Sequence, residues 1–127
     1  MDAVEAVRRA VLAKLTADLA PVGVPEHPPQ DMKMPSVTLD RVFDEPDDLL
    51  FERQSKVTLT MTLWSAKRGS REAEAIRSGI YASLHNADLA LASGGSVMCR
   101  YVRGDVTRDA DGVTYIGSVL ITALVEH

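Results

Sequence analysis

The sequence predicts an α+β fold: a four-stranded, mainly antiparallel sheet with two helices packed on one face, in the order helix, strand, strand, helix, strand, strand. Three observations predict it. Two segments, over 2–20 and 70–86, repeat apolar residues at helical spacing. Residues 55–65 alternate strictly, with Val57, Leu59, Met61 and Leu63 against Thr58, Thr60, Thr62 and Trp64. The last third reads as two long strands joined at Asp109-Ala110-Asp111-Gly112, where the glycine supplies a positive φ.

In the first helix, Val4, Val7, Val11, Leu15 and Leu19 stack on one face, while Glu5, Arg8, Arg9 and Asp18 fall mostly on the other. Asp2 is placed as N-cap with Glu5 three residues on, and Pro21 ends the helix because it lacks the amide of the next turn. Burial of five aliphatics contributes about 1.5–3 kcal/mol each before entropy, so this helix must lie on something. The proline-rich stretch from Pro21 to Pro35 reads as an irregular connection, with Met32 and Met34 placed at the edge of the core. Ser36 to Phe43 reads as a strand with Val37 and Leu39 on one face and Thr38 and Asp40 on the other.

The acidic segment Asp44-Glu45-Pro46-Asp47-Asp48 runs into Leu49-Leu50-Phe51 and reads as a long loop between strands. Three apolar residues in an exposed loop meet something, either within the fold or on a neighbour. Ser70 is placed as N-cap of the second helix, whose stripe is Ala73, Ile76, Ile80, Leu84 and Ala87. Leu89 to Gly95 reads as a loop. The closing strands are about 96–108 and 114–126. The last is apolar on both faces, with Val119, Ile121, Ala123 and Val125 against Ile116, Leu120 and Leu124, the pattern of a central strand.

With 127 residues, the chain fits a single domain over 1–127. Apolar residues make up 46% and charged residues 25%, the profile of a folded globular chain. The net charge is −4 without a concentrated basic tract, which argues against gripping a phosphate backbone as the main task. Cys99 stands alone and forms no intrachain disulfide. The first residues lack the apolar run of a signal peptide, and no stretch approaches the roughly 20 apolar residues that span a bilayer. The chain is expected to stay in the compartment of its synthesis, without a membrane partner.

Catalysis requires a nucleophile or acid–base pair held in register, or a metal with enough ligands. His27, His85 and His127 are far apart in sequence, and none is near Cys99, which sits where a strand expects a small buried apolar residue. His85 falls near the end of a helix, where a cation interacts favourably with the dipole. The acids around Pro46 lack the alternation and the glycine of a calcium loop. Gly94-Gly95 precedes no helix and is not a nucleotide loop. Lys67, Arg68 and Arg71 could hold a phosphate at a helix N-terminus, or serve as a solvated rim facing an acidic neighbour. No catalytic residue, cofactor or metal is expected, and the reading is not an enzyme.

The stretch Leu59 to His85 carries a resemblance: a strand ending Leu63-Trp64-Ser65, a short basic link through Gly69, and a helix ending Leu84-His85. Pro35-Ser36-Val37-Thr38-Leu39, the turn at 109–112 and the closing Ala123-Leu124-Val125-Glu126 follow in the same order. In this order and spacing the whole chain resembles the phage tail-completion, or tail-terminator, family of long-tailed phages and related gene transfer agents. It departs at Ser36, where similar sequences often carry an aromatic residue, and in its acidic loop.

The resemblance implies a hexameric ring that caps a finished tail tube, stops its polymerisation and joins it to the head connector or stopper protein. DNA passes the lumen without being read. The implied location is the neck of a virion or phage-like particle, assembled in the host cytoplasm. Ring contacts between identical subunits are heterologous, one patch meeting a different patch on the next copy. Asp47, Asp48, Leu49, Leu50, Phe51, Trp64, Lys67 and Arg68 are the candidate contacts, with Trp64 either turned to a neighbour or packed in its own subunit. An acidic or neutral lumen would let DNA slide by like-charge repulsion. The competing readings are a head-closure or tail-tube subunit of the same particle, and a small ligand-binding domain or enzyme built on Cys99 or the 67–71 cluster.

Overall fold

A computed structural model describes residues 3–25, 33–46, 54–67, 69–91 and 94–126. The elements are α1 (Ala3–Leu19), β1 (Ser36–Pro46), β2 (Gln54–Ser65), α2 (Arg71–Leu84), β3 (Asp88–Ala90), β4 (Ser96–Arg108) and β5 (Tyr115–Glu126). The sheet has five strands in the order β1-β2-β5-β4-β3, and every pairing is antiparallel. The expected count of four falls one short. The segment read as a loop from Leu89 to Gly95 overlaps a three-residue strand, whose Asp88, Leu89 and Ala90 face Met98, Val97 and Ser96. Three residues are too few to show a period, so nothing in the pattern announces this strand.

Both helices contribute to one apolar cluster with the same face of the sheet. Val7, Val11, Leu15 and Leu19 of α1 and Ala73, Ile76, Ile80 and Leu84 of α2 are buried. They meet Val57, Leu59, Met61 and Leu63 of β2, Val119, Ile121, Ala123 and Val125 of β5, and Val97 and Cys99 of β4. The strand read as central from its two apolar faces is β5, which pairs along its whole length with β2 on one side and β4 on the other.

Two edge-side strands are rephased by bulges. In β1 the register shifts between Leu39 and Arg41, so Val37, Leu39 and Val42 share the core face opposite Leu63, Met61 and Leu59. Strict alternation would have placed Arg41 there instead; the extra residue, Asp40, removes the conflict. Its carboxylate accepts hydrogen bonds from the Thr38 hydroxyl at 3.0 Å and from the Thr62 hydroxyl. In β4 the shift lies between Tyr101 and Arg103 and leaves Val102 out, with half its surface in solvent.

Several local expectations need correction. Met34 is exposed rather than tucked into the core edge, and Met32 lies outside the described residues, as does the Asp2 cap. Helix α2 stops at Leu84, two residues early, because Asn86 takes a positive φ of 60°. Ser70 occupies the N-cap position, but its side chain makes no cap hydrogen bond; its carbonyl accepts from Glu74 N at 2.8 Å. Ala87 is only half-buried, while Ser83 is buried and donates to Asp18 at 2.6 Å, tying the two helices together.

The 109–112 turn forms as read. Gly112 has φ +75°, its amide donates to Asp109 O at 3.0 Å, and Asp109 N donates to Thr114 O at 2.7 Å. The Asp111 carboxylate accepts from Val113 N, Thr114 N and the Thr114 hydroxyl at 2.7–2.8 Å. These bonds, the Thr114 amide first, hold the Asp111 carboxyl below its ordinary value of 3.8. A depressed folded-state value stabilises the fold above the unfolded value and loses that contribution as pH falls through the folded one. Asp111→Asn is therefore expected to be less stable than the parent at neutral pH, with the gap in melting temperature closing as the pH is taken below 3.8.

Candidate functional site

The two sequence-predicted contact patches attach to opposite ends of β2. Residues 47–53 link β1 to β2 where Pro46 faces Ser55 and Gln54 faces Glu126. Trp64 and Lys67 sit at the other end, where Trp64 faces Ser36 on one side and Ile116 on the other. A strand of this length separates its ends by roughly 35–40 Å. Asp47, Asp48, Leu49, Leu50, Phe51 and Arg68 lie outside the described residues.

Trp64 is half-buried on the sheet face away from the helices, and its indole Nε1 donates to the Thr38 hydroxyl at 3.4 Å. It thus packs against its own subunit while leaving part of the ring accessible. The link that follows is pinned by Glu72 from the first turn of α2. One Glu72 oxygen accepts from the buried Ser65 hydroxyl at 2.7 Å, and the other lies 3.5 Å from Lys67 Nζ. Lys67 itself is largely exposed, so this pair contributes little to stability. Its ammonium remains available at the rim, as does the backbone turn at Gly69, which has φ +85°.

Between this link and the 109–112 turn lies an open cleft of about 490 Å³ lined by Ala66, Gly69, Arg108, Gly112, Val113 and Tyr115. Among the described residues Arg108 is the one charged side chain in that lining, and it lies over the Tyr115 ring at 6.0 Å. Among the described lining residues no carboxylate or imidazole stands beside this guanidinium.

Cys99 is fully buried beneath α2, and burial pushes its thiol up to about 11, with the Asp88 carboxylate adding to the shift. It is a core residue. In the native protein, labelling by a thiol reagent at neutral pH is expected to proceed only as fast as unfolding exposes it, and Cys99→Ala to bring a mild packing loss with normal assembly. Rapid labelling of the folded chain would contradict both. His85 stacks on Tyr81 at 4.7 Å and its Nδ1 accepts from Tyr101 N at 3.2 Å. The ring closes the edge of β4 instead of capping helix carbonyls. Among the described residues no group of three His, Cys, Asp or Glu could hold a metal ion, and no helix is long and apolar enough to cross a membrane.

A further surface that no sequence motif marks is the sheet face opposite the helices. Across β1, β2, β5 and β4 its rows run Phe43, Thr58, Thr122, Arg100, and then Arg41, Thr60, Leu120, Arg103. Arg41, Arg100, Arg103, Met98 and Leu124 are exposed there. The signal was present in the threonines alternating with the core of β2, but the arginines come from two strands far apart in sequence.

The described residues thus form a small α+β unit with two helices on one face of an antiparallel sheet and a second face left open. The family described as tail completion protein gp17 matches residues 5–126, and this chain belongs to that family. Among solved structures, it resembles a chain of a structure titled as the virion of a native gene transfer agent particle. The TM-score is 0.82 and the identity 19%, and each chain is covered over 100% of its length. At that identity the likeness is one of fold. No curated protein matches the chain.

Proposed function

We propose that the chain, acting as one tail-terminator-like domain over 1–127, forms a hexameric ring on the end of a completed tail tube. The ring stops polymerisation and presents its other side to the head-tail connector or stopper, and DNA passes through the lumen without base readout. The role is structural and not enzymatic, and its place is the neck of a virion or gene transfer agent-like particle, assembled in the host cytoplasm.

The observation that carries this reading is the family match over nearly the entire chain. The end-to-end fold likeness to a chain from a gene transfer agent particle supports it. The positions of the two predicted patches support it too. A tube cap needs contacts toward the tube and toward the head, and the patches attach to opposite ends of the same strand. We assign Asp47, Asp48, Leu49, Leu50 and Phe51 to one of these surfaces and Trp64, Lys67 and Arg68 to the other.

Electron microscopy of particles made without this protein tests the assignment. Tubes of uncontrolled, excessive length are the expected result. Filled heads without tails would instead identify a head-closure protein, and absent tubes a tube subunit; either overturns the terminator reading.

A further inference from the structure

We infer that the ring closes by strand addition, β1 of one copy pairing antiparallel with β4 of the next so that the sheets join into one continuous barrel. This rests on the ring proposed above and specifies the surface that builds it. Both ends of the sheet leave backbone unpaired among the described residues. β1 is the first strand in the order, and on its outer side only Val37 is bonded, through its amide to Gly23 O at 2.8 Å. At the other end β3 covers β4 only from Ser96 to Met98. The following turn seals two more positions, with Cys99 bonded to Asn86 and Ala87 and Tyr101 N bonded to His85. From Val102 to Arg108 no strand of the described residues lies on the side of β4 away from β5. An unpaired edge of this length is a template for another chain.

Direction, charge and apolar exposure agree. Along β1-β2-β5-β4 each neighbour is antiparallel, so β1 and β4 run opposite ways. Copies related by rotation about an axis along the strands therefore bring β4 beside an antiparallel β1, the sense of every other pairing in the sheet. The β1 edge carries Asp40, Asp44 and Glu45 against Arg41, whereas the unpaired stretch of β4 carries Arg103 and Arg108 against Asp105. Edges protected against pairing carry like charges; these two carry opposite ones. Val102 and Tyr81, 47% and 46% exposed, lie beside the β4 edge, where Tyr81 packs edge-on against Tyr101 at 5.3 Å. The contact is heterologous, as a ring requires.

Closure also fixes the inside. The helices occupy one face and bulk outward, so the open face turns to the hole. It would line the hole with Thr60 and Thr122 and with Arg41, Arg100 and Arg103, in place of the acidic or neutral wall expected from net charge. Six copies of four long strands make about 24 strands, which at normal spacing and tilt gives a barrel roughly 40–50 Å across its backbone.

Two charge-reversed proteins test the inference. One carries Arg103→Glu with Arg108→Glu, the other Asp44→Lys with Glu45→Lys; circular dichroism checks that each folds. Native mass spectrometry and sedimentation are expected to show each alone needing about tenfold or more higher concentration than the parent to form rings, from like-charge contact at every joint. Mixed together they are expected to form rings again, with three copies of each, because every joint then pairs opposite charges. Rings formed by either variant as readily as by the parent would overturn the strand pairing and leave the terminator reading intact. So would folded variants that stay apart when mixed. A parent protein that forms no ring and caps no tube overturns the ring itself and the strand pairing with it.

Discussion

Leu59→Ala is expected to lower the free energy of unfolding by about 2–5 kcal/mol, the range for removing a buried leucine and leaving a partly collapsed cavity. Leu59 has no exposed surface. It lies in β2 between Val42 of β1 and Ile121 of β5, under the layer formed by the two helices. No neighbour is free to fill the space, since strands on both sides are held by ladder bonds and the helices by each other through Ser83 and Asp18. Marginal stability makes such a loss large: typical domains hold only about 5–15 kcal/mol. Urea unfolding checks it, with the midpoint falling and the slope unchanged. Thr60→Ala, one residue along and on the open face, is the control and is expected to change stability by about 0.5 kcal/mol or less. A loss below about 1 kcal/mol for Leu59→Ala would contradict the buried position.

The contrast between neighbouring residues shows why most of this fold was legible in the sequence. Where a strand is covered on one face only, burial is written as alternation, and β2 displays it without interruption. Where it lies centrally with one well-packed and one half-covered face, both sets of positions are apolar, and β5 displays that. The helices announced themselves through the stripe that meets the sheet. What was not legible has a common cause. β3 is too short for a period, and the bulges at Asp40 and Val102 break alternation in strands that otherwise follow it. Asn86, ending α2 through a positive φ, lacks the glycine that usually signals such a stop.

The candidate site was legible less evenly. Trp64 stood out as the only tryptophan, at the end of the clearest strand, and the structure places it at the rim of the sheet as a half-buried ring. Lys67 was legible together with Arg68 and Arg71 as a small basic cluster, and its tie to Glu72 became visible only when α2 folded back on the link. The open face and the unpaired edges were not readable at all. They are products of strand order: β1 and β4 become opposite borders because β5, last in the chain, inserts between β2 and β4. Motif spacing carries no information about that insertion.

The same insertion makes Gly117 a position of unusual consequence. Replacing a strand glycine by alanine ordinarily helps by roughly 0.5–1 kcal/mol, because glycine loses more backbone freedom on folding. At Gly117 the sign is expected to reverse. The residue sits in β5 between Leu63 of β2 and Val106 of β4, and an added Cβ would lie 2.7 Å from the Asp105 carbonyl oxygen and 2.7 Å from Leu63 Cγ. The first obstacle is backbone in a paired strand and the second is a core side chain with no exposed surface. Neither can step aside without moving the sheet, so Gly117→Ala is expected to destabilise by about 1–3 kcal/mol, the usual penalty of overpacking. Gly104→Ala provides the comparison, since its new Cβ would meet side chains only, and Tyr101 would have to shift from its contacts with Tyr81 and Arg77 to admit it. That change should cost less than Gly117→Ala, because no backbone has to move. Denaturant unfolding separates the two, and the lone tryptophan reports where the strain goes. Leu63 immediately precedes Trp64, so pushing Leu63 away from β5 is expected to loosen the Trp64–Thr38 bond and redden the emission of the folded Gly117→Ala protein, while Gly104→Ala leaves the spectrum unchanged.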